Sequence, residues 1–383
     1  MIDLSVSLSN FLNNIFSIVS EFGLNGQKDG QSFYSSVNQC YSLINATLKR
    51  IPKEAVENIL EKSDLFNNPT KAVLINLLKR IEDHCMEILY YAYVGDLRRA
   101  MNKLNSLFTK KTYIQSKFKN EETYIDNINR VITNDSLRLY RIVCLDNTKS
   151  GNYKHVPFDS SEKDFWRGPV KSKDKNCLHI PFNLREKAAS NRFNLQGYPC
   201  SYLADSIDCA KKESVSFYNN QAVVEKGKSY HLGVFKTKGG KPLILLDLRM
   251  PRLSSLLDND YSKLVSSLIS LPIIIICNGN SERFGKEAYL FSQLLLHFLL
   301  RDAEPYRLLP SFNGICYSSL KCLGGSCYMF PATYNNNNNN NNTIPATYVN
   351  NEIVQNIENP QKQPFSSDLG TRFEQIGHCI LDI

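Results

Sequence analysis

The chain has 383 residues, 42% of them hydrophobic and 21% charged, enough apolar material for a sizeable core and enough length for two domains. Its longest apolar runs, 271–277 and 294–300, fall short of the ~20 residues a spanning helix needs, so no membrane segment is expected. A formal charge of +8 suits an acidic partner or a phosphate-bearing ligand, but no basic run concentrates it, which argues against direct nucleic-acid binding.

The chain begins with MIDLSVSLSNFLNNIFSIVSEF, which carries an acidic residue where a leader would be basic and repeats Leu8, Phe11, Ile15 and Val19 at helical spacing. An amphipathic helix is expected. Helical patterns continue around Tyr41, Ile44 and Leu48, and again over Ala55 to Leu60. Asn68 and Pro69 open a longer helix with Leu74, Leu77, Leu78, Ile81, Cys85, Ile88 and Leu89 on one face. Gly95 and Asp96 break it, and a further helix carries Ala100, Leu104 and Phe108. So short a link packs the two helices antiparallel, and residues 1–130 read as an N-terminal helical domain. His84 has no second ligand or acid at a useful spacing and reads as structural.

The polar stretch Lys110 to Asn134 is the expected boundary, and a second domain is expected over 131–331. Its first strand is Leu137 to Leu145, with Arg141 set among apolar residues. A buried arginine needs a partner, which could be an internal carboxylate or a ligand phosphate. Gly151 to Asn176 is a polar loop holding the only tryptophan, Trp166, either as an exposed connection or as a cover over a substrate.

Residues 177–214 are the densest stretch. Arg192, Phe193, Asn194 and Gly197 precede a short apolar strand, and Ser206 can cap a helix on which Glu213 shares a face with Cys209, Ala210 and Phe217. Arginine recognises phosphate through paired donors, aromatic rings offer a face to a base, and a lone carboxylate suits a developing cation. Beyond it come strands at Tyr230 to Val234 and Leu243 to Leu248, partial helix over Leu253 to Leu271, an expected strand at Pro272 to Cys277, and a helix over Gly285 to Leu300. Phe312 to Tyr317 and Tyr328 to Phe330 complete the sheet. Several strands with few intervening helices indicate α+β, not a regular parallel repeat.

The 332–383 segment is a low-complexity tail in which PATY recurs on either side of eight asparagines at 335–342, although Phe373 to Ile383 regains hydrophobicity. Eleven cysteines, an odd number with no Cys-x-x-Cys, fit reduced thiols in a cytoplasmic protein better than a metal site or a disulfide framework. Neither a metal nor a secreted fold is expected.

The run RFN-x-x-G-x-P-x-x-Y-L-A over Arg192 to Ala204, followed by A-x-x-E ending at Glu213, resembles the RES domain, a family called after its Arg, Glu and Ser. Arg141 in RLYRIVCL sits in the family's Leu-Tyr-Arg context, and Ser319 takes the serine's place in Gly-Ile-x-Tyr-x-Ser. The neighbouring Ser318 is the alternative if the register is off by one. The resemblance covers 131–331 and implies an ADP-ribosyltransferase-like mixed β core that uses NAD as substrate without a metal. It gives the diphosphate or ribose to Arg141 and Arg192, the nicotinamide ribose pocket to Tyr202, substrate positioning to Ser319 and catalysis to Glu213. It further implies an NAD-degrading toxin neutralised by a protein with a DNA-binding domain.

The chemistry agrees with that assignment without depending on it. Cleaving the nicotinamide bond builds positive charge on the ribose, which a carboxylate stabilises, and the nicotinamide departs as a neutral ring. Water as acceptor gives a glycohydrolase, phosphate a phosphorylase, and a side chain a protein ADP-ribosyltransferase. A nucleotide-binding module without turnover is the non-enzymatic alternative. The N-terminal bundle is expected either to dock the neutralising partner or to form a homo-oligomer.

Overall fold

Amphipathic periodicity becomes structure in the N-terminal half of this computed structural model, in which residues 4–24, 32–109, 117–119, 128–132, 138–146, 156–157, 188–214, 217–218, 221–222, 228–237, 243–251, 257–279, 281–300, 312–322, 324–331 and 373–382 are described. The helices are α1 (Leu4–Leu24), α2 (Phe33–Arg50), α3 (Lys53–Ser63), α4 (Lys71–Tyr93) and α5 (Leu97–Thr109). Ser32 caps α2 by accepting from the Ser35 amide, and Thr70 caps α4 by accepting from the Val73 amide. Between α4 and α5, Gly95 takes a φ of 80° and Asp96 accepts from the Arg99 amide, so the link both breaks one helix and starts the next.

The chain forms two compact units, the first made of Met1–Arg130, Asn191–Phe193 and Ile244–Phe312 and the second of Val131–Ser190, Asn194–Leu243 and Asn313–Ile383. The sequence places 244–312 in the second domain; in the structure that segment groups with the N-terminal helices. Its helices include α7 (Tyr261–Ile269), α8 (Leu271–Cys277), α9 (Ser281–Phe284) and, after a 3-10 turn over Gly285–Tyr289, α10 (Leu290–Leu300). Helix α7 packs on α3 and α4, α8 on α2 and α4, and α10 on α4 and α5. Helix α6 (Ile207–Ser214) lies in the second unit. Residues 272–277, expected as a strand, are helical. Every residue of α8 is buried, and a run apolar on all sides carries no period that separates strand from buried helix. Pro272 lies in the first turn, where its fixed φ is compatible with a helix start, and its carbonyl accepts the Tyr41 hydroxyl at 2.8 Å.

The second unit is built on a mixed sheet. Its strands are β2 (Arg138–Asp146), β3 (Val156–Pro157), β4 (Cys200–Ala204), β7 (Lys228–Thr237), β9 (Gly314–Ser318), β10 (Ser326–Pro331) and β11 (Phe373–Asp382), running β9-β10-β4-β2-β7-β11-β3 across the sheet. Neighbours are antiparallel except β11 with β3. Two short strands, β5 (Phe217–Tyr218) and β6 (Gln221–Ala222), form a separate hairpin, while β1 (Asn129–Ile132) and β8 (Leu243–Leu248) flank the unit boundaries. Helix α6 (Ile207–Ser214) follows β4 directly. The expected helical stripe stops there: Phe217 lies in β5, not on the face of Glu213. Trp166, most of its loop, and the asparagine run lie outside the described residues.

Candidate functional site

The turn from β4 into α6 is fixed by three hydrogen bonds. Ser206 Oγ accepts from the Cys209 amide at 3.1 Å, capping α6. Asp205 Oδ2 accepts from the Ser326 amide at 2.7 Å while the Asp205 amide donates to the Ser326 carbonyl at 3.0 Å, tying the helix start to the first residue of β10.

On this anchored helix Glu213 faces the segment that leaves β9. Ser319 Oγ donates to Glu213 Oε1 at 2.5 Å and accepts from the Cys322 amide at 2.8 Å. The Ser319 amide donates to the Gly325 carbonyl at 3.0 Å, so backbone and side chain are both held. Among the described residues Glu213 has no other hydrogen-bond partner and no ion pair. Sequence alone leaves the choice between Ser318 and Ser319 open; the structure brings Ser319 to the carboxylate, and Ser318 is the last residue of β9, paired with Ser326.

Strand register locates the remaining residues of this unit. Tyr140 pairs with Ala204 and Ala204 with Cys327, and directly opposed residues share a face. Cys209 Sγ of α6 lies 4.0 Å from Cys327 Sγ, so α6 covers that face. Tyr202, two residues before Ala204, is on it as well. Arg141, next to Tyr140, alternates to the opposite face, away from α6, and is half-buried. The expected convergence of Arg141 with Glu213 is therefore not what the register gives.

The loop of the Arg-Phe-Asn motif is organised by Asn194, for which no role is expected from the motif alone. Asn194, 2% exposed, donates from Nδ2 to the carbonyls of Ala189 (2.9 Å), Leu195 (3.2 Å) and Tyr198 (3.1 Å), and its Oδ1 accepts from the Tyr202 hydroxyl at 2.7 Å. Gly197 completes the turn with a φ of 83° that other residues rarely adopt. The Tyr202 hydroxyl thus serves the loop. Arg192 belongs to the first unit, where its Nη1 donates to Asn278 Oδ1 at 3.4 Å and its carbonyl accepts from the Ser292 hydroxyl.

Two further groups are assembled by the fold. Cys322 and Cys327, which with Cys316 form the one local cluster of cysteines in the sequence, are joined in the structure by Cys209 of α6, whose Sγ lies 4.0 Å from Cys327 Sγ. In the first unit Glu82, 8% exposed, accepts from Asn45 Nδ2 at both carboxylate oxygens (3.0 and 2.8 Å), and burial pushes its carboxyl up to about 7. The place of Cys209 beside Cys327 and the Asn45–Glu82 pair have no signal in one-dimensional spacing, because each joins distant elements.

The site sits in a mixed α/β protein, and among the described residues no group of three or more His, Cys, Asp or Glu is placed to hold a metal ion and no helix is long and apolar enough to cross a membrane. No family model, curated protein or solved structure matches the chain.

Proposed function

We propose that the chain consumes NAD, cleaving the nicotinamide N-glycosidic bond as a glycohydrolase or phosphorylase on an ADP-ribosyltransferase-like core. The observation that carries this reading is the 2.5 Å hydrogen bond from Ser319 to Glu213. A carboxylate oriented by one hydroxyl, and free of any ion pair among the described residues, keeps its charge for a cationic ribose. Ser319 is itself oriented by the Cys322 amide, so the carboxylate need not reorganise as charge develops.

Tyr202 shares the α6 face and supplies a ring for the nicotinamide ribose pocket. The RES resemblance gives the diphosphate to Arg141 and Arg192. With Arg141 on the face away from α6, the reading rests on Glu213 and Ser319, and Arg141→Ala decides whether that guanidinium serves the ligand or the sheet. Draining NAD harms a host cell, and the same resemblance extends the reading to a cytoplasmic toxin neutralised by a protein with a DNA-binding domain.

The test incubates the purified full chain with NAD, with and without inorganic phosphate, and follows products by mass. Free nicotinamide with ADP-ribose identifies a glycohydrolase, a phosphate-dependent ADP-ribose ester a phosphorylase, and a mass increment on protein a transferase. Binding of NAD with no nicotinamide released, or release that survives Glu213→Gln, overturns the proposal.

A further inference from the structure

We infer that Cys209 and Cys327 are an oxidisable thiol pair, and that a peroxide closes them into a disulfide that disables the Glu213–Ser319 pair. The geometry is local to the second unit. The two sulfurs lie 4.0 Å apart, and a disulfide needs about 2.05 Å, so closure draws α6 and β10 together by roughly 2 Å or turns the side chains to match. Cys209 and Glu213 lie one helical turn apart on α6, so movement of the first is carried to the second.

The space for these sulfurs is made by a glycine. A Cβ on Gly325 would stand 2.8 Å from Cys209 Sγ and 3.1 Å from Cys322 Sγ. Cys322 is also the residue whose amide holds Ser319 Oγ at 2.8 Å, so the thiol cluster and the serine share one turn of chain. Cys209 and Cys327 are 0% and 4% exposed, so a small oxidant reaches them through local opening of the turn that covers them. Cys322 Sγ donates to Asp208 Oδ2 at 3.7 Å, and the Asp208 side chain is 66% exposed, so the cluster comes nearest the surface on its Cys322 side.

The three thiols are chemically unequal. The Cys327 thiol beside Cys209 holds it below the ordinary cysteine range, against burial and the Asp205 charge, which push it up. Burial pushes Cys322 up to about 12, which keeps it protonated as a donor to Asp208. Cys209 is therefore the attacking group. Its thiolate attacks one peroxide oxygen, an S–O bond forms as the O–O bond breaks, and the departing oxygen leaves as water. Cys327 then attacks the Cys209 sulfur, the S–S bond forms as S–O breaks, and a second water leaves. Two thiols are oxidised by two electrons and one hydrogen peroxide is reduced to two waters.

The experiment treats the full chain with a small excess of hydrogen peroxide and maps its peptides without reduction. The expected result is a loss of about 2 Da, a crosslink joining the Cys209 and Cys327 peptides, and reversal by a thiol reductant. Hydrogen exchange at the Cys322 amide, bonded to Ser319 Oγ in the reduced form, rises at least ten-fold on oxidation; NAD turnover falls at least ten-fold and returns with reductant. In Cys327→Ser the crosslink is absent and oxygen adducts appear on Cys209 instead. A crosslink to Cys322, the absence of any crosslink, or a Cys209–Cys327 crosslink that leaves the Cys322 amide unchanged overturns the inference. Mass and exchange need no turnover, so failure of the NAD reading leaves this test intact.

Discussion

Replacing Asn194 by alanine removes the amide that ties three carbonyls and one tyrosine hydroxyl together. The carbonyls of Ala189, Leu195 and Tyr198 lie 2.9, 3.2 and 3.1 Å from Nδ2, and the Tyr202 hydroxyl 2.7 Å from Oδ1. A net hydrogen bond contributes about 1 kcal/mol, and a group left unsatisfied under cover costs ~1–3 kcal/mol. Two N–H groups are shared among three acceptors, and the half-buried Tyr202 hydroxyl can turn to water, so the sum is about 3 kcal/mol and not the full count of four bonds. The loss is local, and the sensitive readout is hydrogen exchange at the Gly197 and Tyr198 amides, which donate to the carbonyls of Ala188 (3.0 Å) and Leu195 (3.1 Å). Their exchange through local opening is expected to quicken about 100-fold, the equivalent of ~3 kcal/mol. Tyr202→Phe, which deletes one bond, is expected to cost about 1 kcal/mol. Exchange at both amides unchanged in Asn194→Ala refutes the assignment of this side chain as the organiser of the loop.

Glu213→Gln is expected to lower NAD turnover about 100- to 1,000-fold, the scale of removing one preorganised electrostatic group, with Ser319→Ala reducing it less and Ser318→Ala least, all measured by nicotinamide release. Gly325→Ala drives a methyl into Cys209 Sγ and Cys322 Sγ and is expected to lower stability by about 1–3 kcal/mol, read from denaturant unfolding. Glu82 binds its proton more tightly folded than unfolded, since burial raises its carboxyl from 4.5 to about 7. Its contribution is therefore present in full below about pH 4.5 and is lost as pH rises to 7, by about 3 kcal/mol; Glu82→Gln is expected to flatten that slope in unfolding followed across this range.

What was legible in the sequence follows from how far each feature depends on its neighbours in the chain. The helical faces of α2, α4 and α5 were readable because burial repeats at 3.6 residues and the breaks at Asn68, Pro69, Gly95 and Asp96 carry their own turn chemistry. The α6 cap was readable for the same reason, as Ser206 acts on an amide three residues away. Helix α8 was not, because Leu271 to Cys277 is apolar throughout and its helical form depends on the helices that enclose it. Domain membership of 244–312 was hidden likewise, since composition cannot say which apolar surface an apolar helix will cover. The Glu213–Ser319 pair joins positions 106 residues apart, and motif resemblance pointed to both without fixing which serine. Arg141 shows the limit of that route: a motif places a residue on a strand, whereas alternation from Tyr140 and Ala204 decides its face.

The segment from Ser319 to Gly325 explains why a short helix can hold a carboxylate steadily enough to matter. Eight residues of α6 give little intrinsic stability, since isolated helices of that length are marginal. The position of Glu213 must instead come from outside the helix, and three attachments supply it. Asp205 fastens the helix start to Ser326, Cys209 packs against Cys327, and Ser319 meets Glu213 in the last turn. Ser319 can do so because its own amide is tied to Gly325 and its hydroxyl to Cys322. The residues before and after this turn belong to β9 and β10, which pair with each other, so the serine is referenced to the sheet and the sheet to the helix. A change at Gly325 or at the thiols is therefore felt at the carboxylate without touching it, and the site and the cysteine cluster should fail together when this turn is disturbed.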